Sequence, residues 1–291
     1  MLKYRLIFGT LMTVFFLGVV ILDGYLDGSV SNDMPNSAVQ GTLLAILLVV
    51  LAVPAQIEIS RLIRRTGAEF FTAVAVIASI FLTTSYYWSQ FTCGACADNF
   101  RVIYLSSVTA FSLIALFLYQ AVRFGNTGVI INCGVNLFAI IYLGLLSSFV
   151  LGVRIDFGLW PLLMFIFTVK SSDIGAYTLG RLFGKHKFSP KISPGKTWEG
   201  MAGAAIFAAV AGSIFAGTCG IMPIWLGVVF GIVFAFLGQL GDLAESMIKR
   251  DAAQKDSANS LPGFGGILDV IDSPLATAPF AYLFFTLVLG S

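Results

Sequence analysis

The sequence predicts an all-α integral membrane protein, a polytopic bundle of about nine transmembrane helices. Composition and apolar windows carry this reading. The 291 residues are 58% hydrophobic and only 11% charged, with 27 phenylalanines, and no water-facing surface tolerates that balance. Mean hydropathy is +0.92. A hydrocarbon core about 30 Å thick takes roughly 20 apolar residues per helix, and windows of that size recur along the whole chain. The net charge of +2 rests on so few charged residues that it gives no signal for nucleic acid.

The spans fall near residues 4–22, 38–58, 68–85, 101–122, 127–150, 157–179, 198–217, 222–241 and 274–290. The first is long enough to cross and no small-residue cleavage site follows it, so it reads as a helix rather than a removable signal peptide. "GVRID" between the fifth and sixth and "TCGIM" between the seventh and eighth are short enough to make each pair a tight helical hairpin. Ser273 and Pro274 read as the N-cap and first residue of the last span. Two regions result: residues 1–150, with about five spans, and residues 151–291, with the substantial polar loops 180–197 and 242–273.

Lys and Arg set the orientation, because the cytoplasmic side retains the excess. One set of alternating loops collects Lys3, Arg5, Arg61, Arg64, Arg65 and Arg123, together with the cations of 180–197 and 242–273. The other set holds only Arg101 and Arg154. The N-terminus and both polar loops are therefore expected in the cytoplasm and the C-terminus outside. Cys93 and Cys96 have C-x-x-C spacing without the second pair a zinc site needs, so they read as a structural disulfide or two thiols.

Chemistry is expected in the two polar loops. "GQLGDLAESMIKRD" puts Asp242, Glu245, Ser246 and Lys249 at i, i+3, i+4 and i+7, one face of a helix. Asp242 directly follows an apolar run and needs a partner or a metal. Lys255 and Asp256 come next, and Gly263, Gly265 and Gly266 then let the backbone approach a ligand closely. Asp269 and Asp272 are one helical turn apart. Carboxylates converging at a membrane surface repel one another unless a hard cation lies between them, and Mg²⁺ completed by water and phosphate oxygens fits. The other loop adds the opposite sign. Lys170, Asp173 and Tyr177 share a face, Arg181, Lys185, Lys187 and Lys191 follow, and "SPGKTWEG" sets Lys196 beside the donors Ser193 and Thr197. "GKT" is not a P-loop, since Pro190 stands where that motif needs Gly and no strand precedes it. His186, the only histidine, has no partner in view and reads as a loop residue rather than a general base.

These residues resemble the CDP-diacylglycerol synthases, or phosphatidate cytidylyltransferases. That family's signature runs S-x-apolar-K-R-x4-K-D-x-small-x2-apolar-P-x-H-G-G-apolar-x-D-R-apolar-D. The chain supplies Ser246, Ile248, Lys249, Arg250, Lys255, Asp256, Ala258, Leu261, Pro262, Gly265, Gly266, Ile267, Asp269, Ile271 and Asp272 in register. "SDIGAY", "SPGKTWEG" and "GDLAES" are also similar to family segments, so the likeness covers residues 165–280. Phe264 stands where the family has His, and Val270 where it has Arg.

The resemblance implies transfer of CMP from CTP to phosphatidic acid at an active site on the cytoplasmic membrane surface, in a bacterial inner membrane. It implies Mg²⁺, with a monovalent cation such as K⁺ as a further cofactor, and a homodimer. On that reading Asp242, Asp256, Asp269, Asp272 and Asp173 form the metal centre, and Lys196, Lys249, Arg250 and Lys255 meet the phosphates. Ser193, Thr197, Arg181, Gly263, Gly265 and Gly266 bind substrate, with Arg181 at the lipid headgroup. The sequence leaves open a CTP-dependent relative acting on another lipid, a non-catalytic homologue and a cation transporter, although transport sites sit near the midplane on broken helices.

Overall fold

The computed structural model describes residues 2–30, 39–92, 97–258, 260 and 265–290, without the side chains of residues 2–7 and 98. Cys93, Cys96, Gly263 and Phe264 lie outside the described residues. The helices are α1 (Leu2–Leu26), α2 (Thr42–Arg65), α3 (Thr72–Thr83), α4 (Ser85–Ser89), α5 (Ala97–Phe124), α6 (Val129–Ile140), α7 (Leu146–Gly152), α8 (Leu159–Phe183), α9 (Trp198–Thr218), α10 (Ile224–Asp251) and α11 (Leu268–Leu289). A π-helical segment, Ile141–Leu145, joins α6 to α7, and a second, Val153–Phe157, extends α7, so that the whole forms one continuous rod. Among the described residues eight helices are long and apolar enough to cross a membrane, and β-type pairing is confined to isolated bridges such as that between residues 187 and 197. The chain is an all-α integral membrane protein.

The third expected span is broken. α3 and α4 meet at Thr84, whose hydroxyl donates to the Ile80 carbonyl at 2.9 Å and accepts from the Trp88 indole at 3.1 Å. Together they reach roughly 27 Å at 1.5 Å per residue, just short of a full hydrocarbon core. Their start is fixed from α6: the Asn132 and Asn136 side chains accept from the backbone N–H groups of Glu69 and Phe71 at 3.0 and 2.7 Å. The polar groups that a helix start would leave bare in lipid are met by a neighbouring helix.

"GVRID" is not a loop. The rod runs on to Phe157, and the turn into α8 is Gly158 alone, with φ 93°. Arg154, expected outside the bundle, is instead fully buried. Its Nε donates to Asp23 at 3.1 Å and its Nη2 to Asp27 at 2.6 Å, so two carboxylates from α1 and the following turn offset its desolvation. Asp23 also accepts from the Leu43 N–H at 2.7 Å and so caps α2, whose own N-cap, Gly41, has no side chain to do it. The expected "TCGIM" turn is present between α9 and α10.

α8, α9 and α10 pack through small residues. A Cβ at Gly175 would collide with the Gly203 carbonyl, and one at Gly212 with the Gly227 carbonyl, so the backbones themselves are in contact. Below them Phe230 and Phe234 stack at 4.0 Å, with Phe165, Phe284 and Phe285 around them. One apolar cluster joins α8, α10 and α11 to Val20 and Leu44; a second joins α2, α3, α5 and α6 to Ala252 and Leu268. Each draws on residues from before and after position 150.

α11 also begins earlier than expected, at Leu268 rather than at Pro274. Ser273 and Pro274 are buried within it. The early start is possible because the N–H groups of Gly266, Ile267 and Leu268 are met by side-chain carboxylates.

Replacing Arg154 with Leu leaves Asp23 and Asp27 buried without a cation. Thermal unfolding in detergent should then show a loss of about 3–5 kcal/mol, largely recovered when both aspartates are changed to Asn in the same chain.

Candidate active site

Four helix ends meet at one end of the bundle: the C-termini of α8 and α10 and the N-termini of α9 and α11. α10 continues as helix beyond its apolar run to Asp251, so Asp242, Glu245, Ser246 and Lys249 do share one face. Lys249 is the hub. Its Nζ donates to Glu245 and to Asp269, each at 2.6 Å, and all three side chains are at least nine-tenths buried. Asp269 is fully engaged, since its second oxygen accepts from the N–H groups of Gly266 and Ser257 and from the Ser257 hydroxyl at 2.7, 3.0 and 2.7 Å.

Beside this hub Asp242, Glu245 and Asp272 each offer a carboxylate oxygen, all within 4.8 Å of one another. The second oxygen of Glu245 is buried and has no hydrogen-bond partner among the described residues. Three hard oxygens converging with an unmet acceptor fit a divalent cation such as Mg²⁺. The buried Tyr142 hydroxyl, likewise without a hydrogen-bond partner among the described residues, lies within electrostatic reach of the same three carboxylates. It sits in the first π-helical segment, where the extra residue in the turn re-aims side chains.

Lys196 is delivered by a small excursion between α8 and α9. Residues 187 and 197 pair antiparallel, and the Trp198 N–H donates to the His186 carbonyl at 2.9 Å. This pairing carries His186 over α9, where its Nδ1 lies 2.6 Å from Glu199, so the histidine does have a partner. Thr197 caps α9, its hydroxyl accepting from the Gly200 N–H at 3.1 Å. The Lys196 Nζ then reaches Asp242 at 2.8 Å and the Gln239 carbonyl at 2.9 Å.

Lys170 crosses from α8 to α11. Pro274 has no N–H, which releases the Val270 carbonyl from the helical ladder, and the Lys170 Nζ donates to that carbonyl at 2.7 Å. Its other partner is Asp173 at 3.4 Å, half-exposed at the rim of the site.

The structure thus brings together Lys196, Lys249, Asp242, Asp269 and Asp272, with Asp173 at the rim. Asp256 and Lys255 are exposed and outside the three-carboxylate group. Arg250 is exposed and ties the two loops, donating to the carbonyls of Ile192 and Gln254 at 3.2 and 3.0 Å. Arg181 donates to the Tyr177 hydroxyl at 2.8 Å. Ser193 is half-buried in the turn before Lys196, its carbonyl accepting from the Lys196 N–H at 3.1 Å. At Gly265, φ is 96°, and a Cβ at Gly266 would collide with Ser257 and Glu58. Sequence reasoning set Glu245 on the right face without giving it a role, and it passed over Glu58, the only acidic residue of α2.

The sequence pattern of the cytidylyltransferase family matches residues 3–288. The chain belongs to the cytidylyltransferase family. Among its relatives, a Haemophilus influenzae protein named phosphatidate cytidylyltransferase is 43% identical over 137 residues, 45% of this chain and 48% of the relative. A protein of the same name from Mycobacterium bovis is 42% identical over 129 residues, 44% of this chain and 42% of the relative. Another of that name, from Bacillus subtilis, is 37% identical over 183 residues, 62% of this chain and 68% of the relative. The chain thus spans about half the length of the first of these relatives.

Lys170→Met strands the Val270 carbonyl and should lower unfolding stability by about 1–3 kcal/mol. In a Pro274→Ala background residue 274 regains an N–H for that carbonyl, so the same lysine change should cost measurably less in a double-mutant cycle of thermal unfolding.

Proposed function

We propose that this protein transfers the cytidylyl group of CTP to phosphatidic acid, giving CDP-diacylglycerol and pyrophosphate. One observation carries the reading: two nearly buried ammonium groups, Lys196 and Lys249, are interleaved with the carboxylates of Asp242, Glu245 and Asp272 at a helix-bundle end. Such a constellation suits two polyanions meeting at a membrane surface. The shared name of the relatives supports the same substrates.

In this reaction an anionic oxygen of phosphatidate forms a bond to the α-phosphorus of CTP as the bond from that phosphorus to its β-bridging oxygen breaks, and pyrophosphate departs with the electron pair. The attacking oxygen carries no proton at neutral pH, so no general base is required. His186, exposed and paired with Glu199, is not needed for the step. Asp242, Glu245 and Asp272 would hold Mg²⁺, which when bound neutralises phosphate oxygens and helps align an in-line displacement. A monovalent cation such as K⁺ is a further candidate beside Asp173. Lys196 turns from Asp242 toward nucleotide phosphate, and Lys249 keeps Glu245 and Asp269 in place while lending positive charge. Arg181, on the exposed end of α8, meets the lipid headgroup. The basic residues of 180–197 support a reading with this end and the N-terminus on the cytoplasmic side of a bacterial inner membrane and the C-terminus outside. A second copy of the chain is its implied partner.

The test is pyrophosphate release by the detergent-purified chain. Release should require CTP, phosphatidic acid and Mg²⁺ together, stop on chelation and return on adding Mg²⁺. Asp242→Asn and Glu245→Gln should each lower it about 100-fold or more while the protein remains folded. No release from folded wild-type protein under these conditions overturns the assignment.

A further inference from the structure

Glu58 lies on α2, in the region that the signature does not reach. It is 2% exposed, and its carboxylate is met from four directions by one short segment of chain. Oε1 accepts from the Ser260 hydroxyl and the Ile267 N–H, each at 3.0 Å. Oε2 accepts from the Leu268 N–H at 2.9 Å, with the Ser257 hydroxyl at 3.1 Å. Ser257 and Ser260 precede the glycine loop, while Ile267 and Leu268 follow it. A single carboxylate from a distant helix therefore grips both ends of the loop and supplies the negative charge that the start of α11 favours.

The grip continues toward the acidic group. The Ser257 hydroxyl has one proton and two carboxylates within reach, and its shorter contact, 2.7 Å, is to Asp269. Asp269 holds Lys249, and Lys249 holds Glu245, each at 2.6 Å. Glu58, Ser257, Asp269, Lys249 and Glu245 thus form an unbroken chain of polar contacts from the second span to the three-carboxylate group. Gly266 sits inside it, where any Cβ would displace Ser257 and Glu58 together.

We propose that Glu58 is a positioning residue: by fixing Ser257 and the start of α11 it sets the orientation of Glu245 and hence the affinity of the Asp242, Glu245 and Asp272 group for a divalent cation. Its effect on turnover rests on the cytidylyltransfer reading, whereas its effect on cation affinity does not. Glutamine in its place has one acceptor oxygen and a donating NH₂ that faces other donors. The grip therefore loosens without a change in size.

The experiment compares wild type, Glu58→Gln and Gly266→Ala as full-length protein in detergent. Mn²⁺ binding is read by electron paramagnetic resonance without substrates, amide exchange over 265–272 by mass spectrometry, and pyrophosphate release as a function of Mg²⁺. Both variants should show faster exchange, Mn²⁺ affinity weakened about 10-fold or more, and half-saturating Mg²⁺ raised by the same factor. For Glu58→Gln the KM for CTP at saturating Mg²⁺ should stay within about twofold of wild type. The double variant should be no worse than the stronger single one, because both act on one contact. Glu58→Asp, which keeps the charge, should recover part of the affinity and covers the case in which Gln does not fold. Faster exchange with wild-type Mn²⁺ affinity reduces Glu58 to a loop anchor and overturns the proposal, as does wild-type protein that binds no Mn²⁺. Wild-type protein that binds Mn²⁺ yet releases no pyrophosphate overturns the reaction and leaves the proposal to stand on the Mn²⁺ shift.

Discussion

Taking an ionised side chain out of water costs several kcal/mol unless other groups replace its hydration, and a bundle with few polar residues has few such groups to offer. Lys249 is where this constraint bears hardest. It sits nearly buried between Glu245 and Asp269, and each of those carboxylates depends on it for a counter-charge. Asp269 in turn holds Ser257 and Gly266 ahead of α11, and Glu245 belongs to the group that can hold a cation. The polar end of the bundle is organised outward from this one ammonium.

The opposite end solves the same problem with the same arrangement of charges. There a buried arginine, Arg154, stands between Asp23 and Asp27, and one of those aspartates also caps α2. At both ends a central cation pairs with two carboxylates, and one of the two also accepts from a backbone N–H at or just before a helix start. Charge pairing and helix capping are combined because in lipid neither can be left to solvent.

Much of this was legible in the sequence. Apolar windows marked the spans, and the i, i+3, i+7 spacing marked the face of α10 that carries Asp242, Glu245 and Lys249. The misreadings share one cause: a local rule was overridden by a partner far along the chain. Arg154 looked like a loop cation because the carboxylates that bury it lie more than 100 residues earlier. Pro274 looked like the start of a helix because neither the Lys170 ammonium, which takes up the freed Val270 carbonyl, nor Glu58, which caps Leu268, is near it in sequence. Glu58 did leave a trace, as a lone carboxylate in an apolar run, which by itself signals a buried polar role. Its partners could come only from the fold.

The turn between the long rod and α8 consists of Gly158 alone. A one-residue connection has no slack, so these two helices cannot slide past each other or separate at that end. They are joined like the arms of tweezers, and any relative movement is an angular opening that grows with distance from Gly158 and already displaces Lys170 and Asp173, midway along α8. Breathing of this pair would therefore widen the polar mouth of the bundle while the opposite face stays sealed.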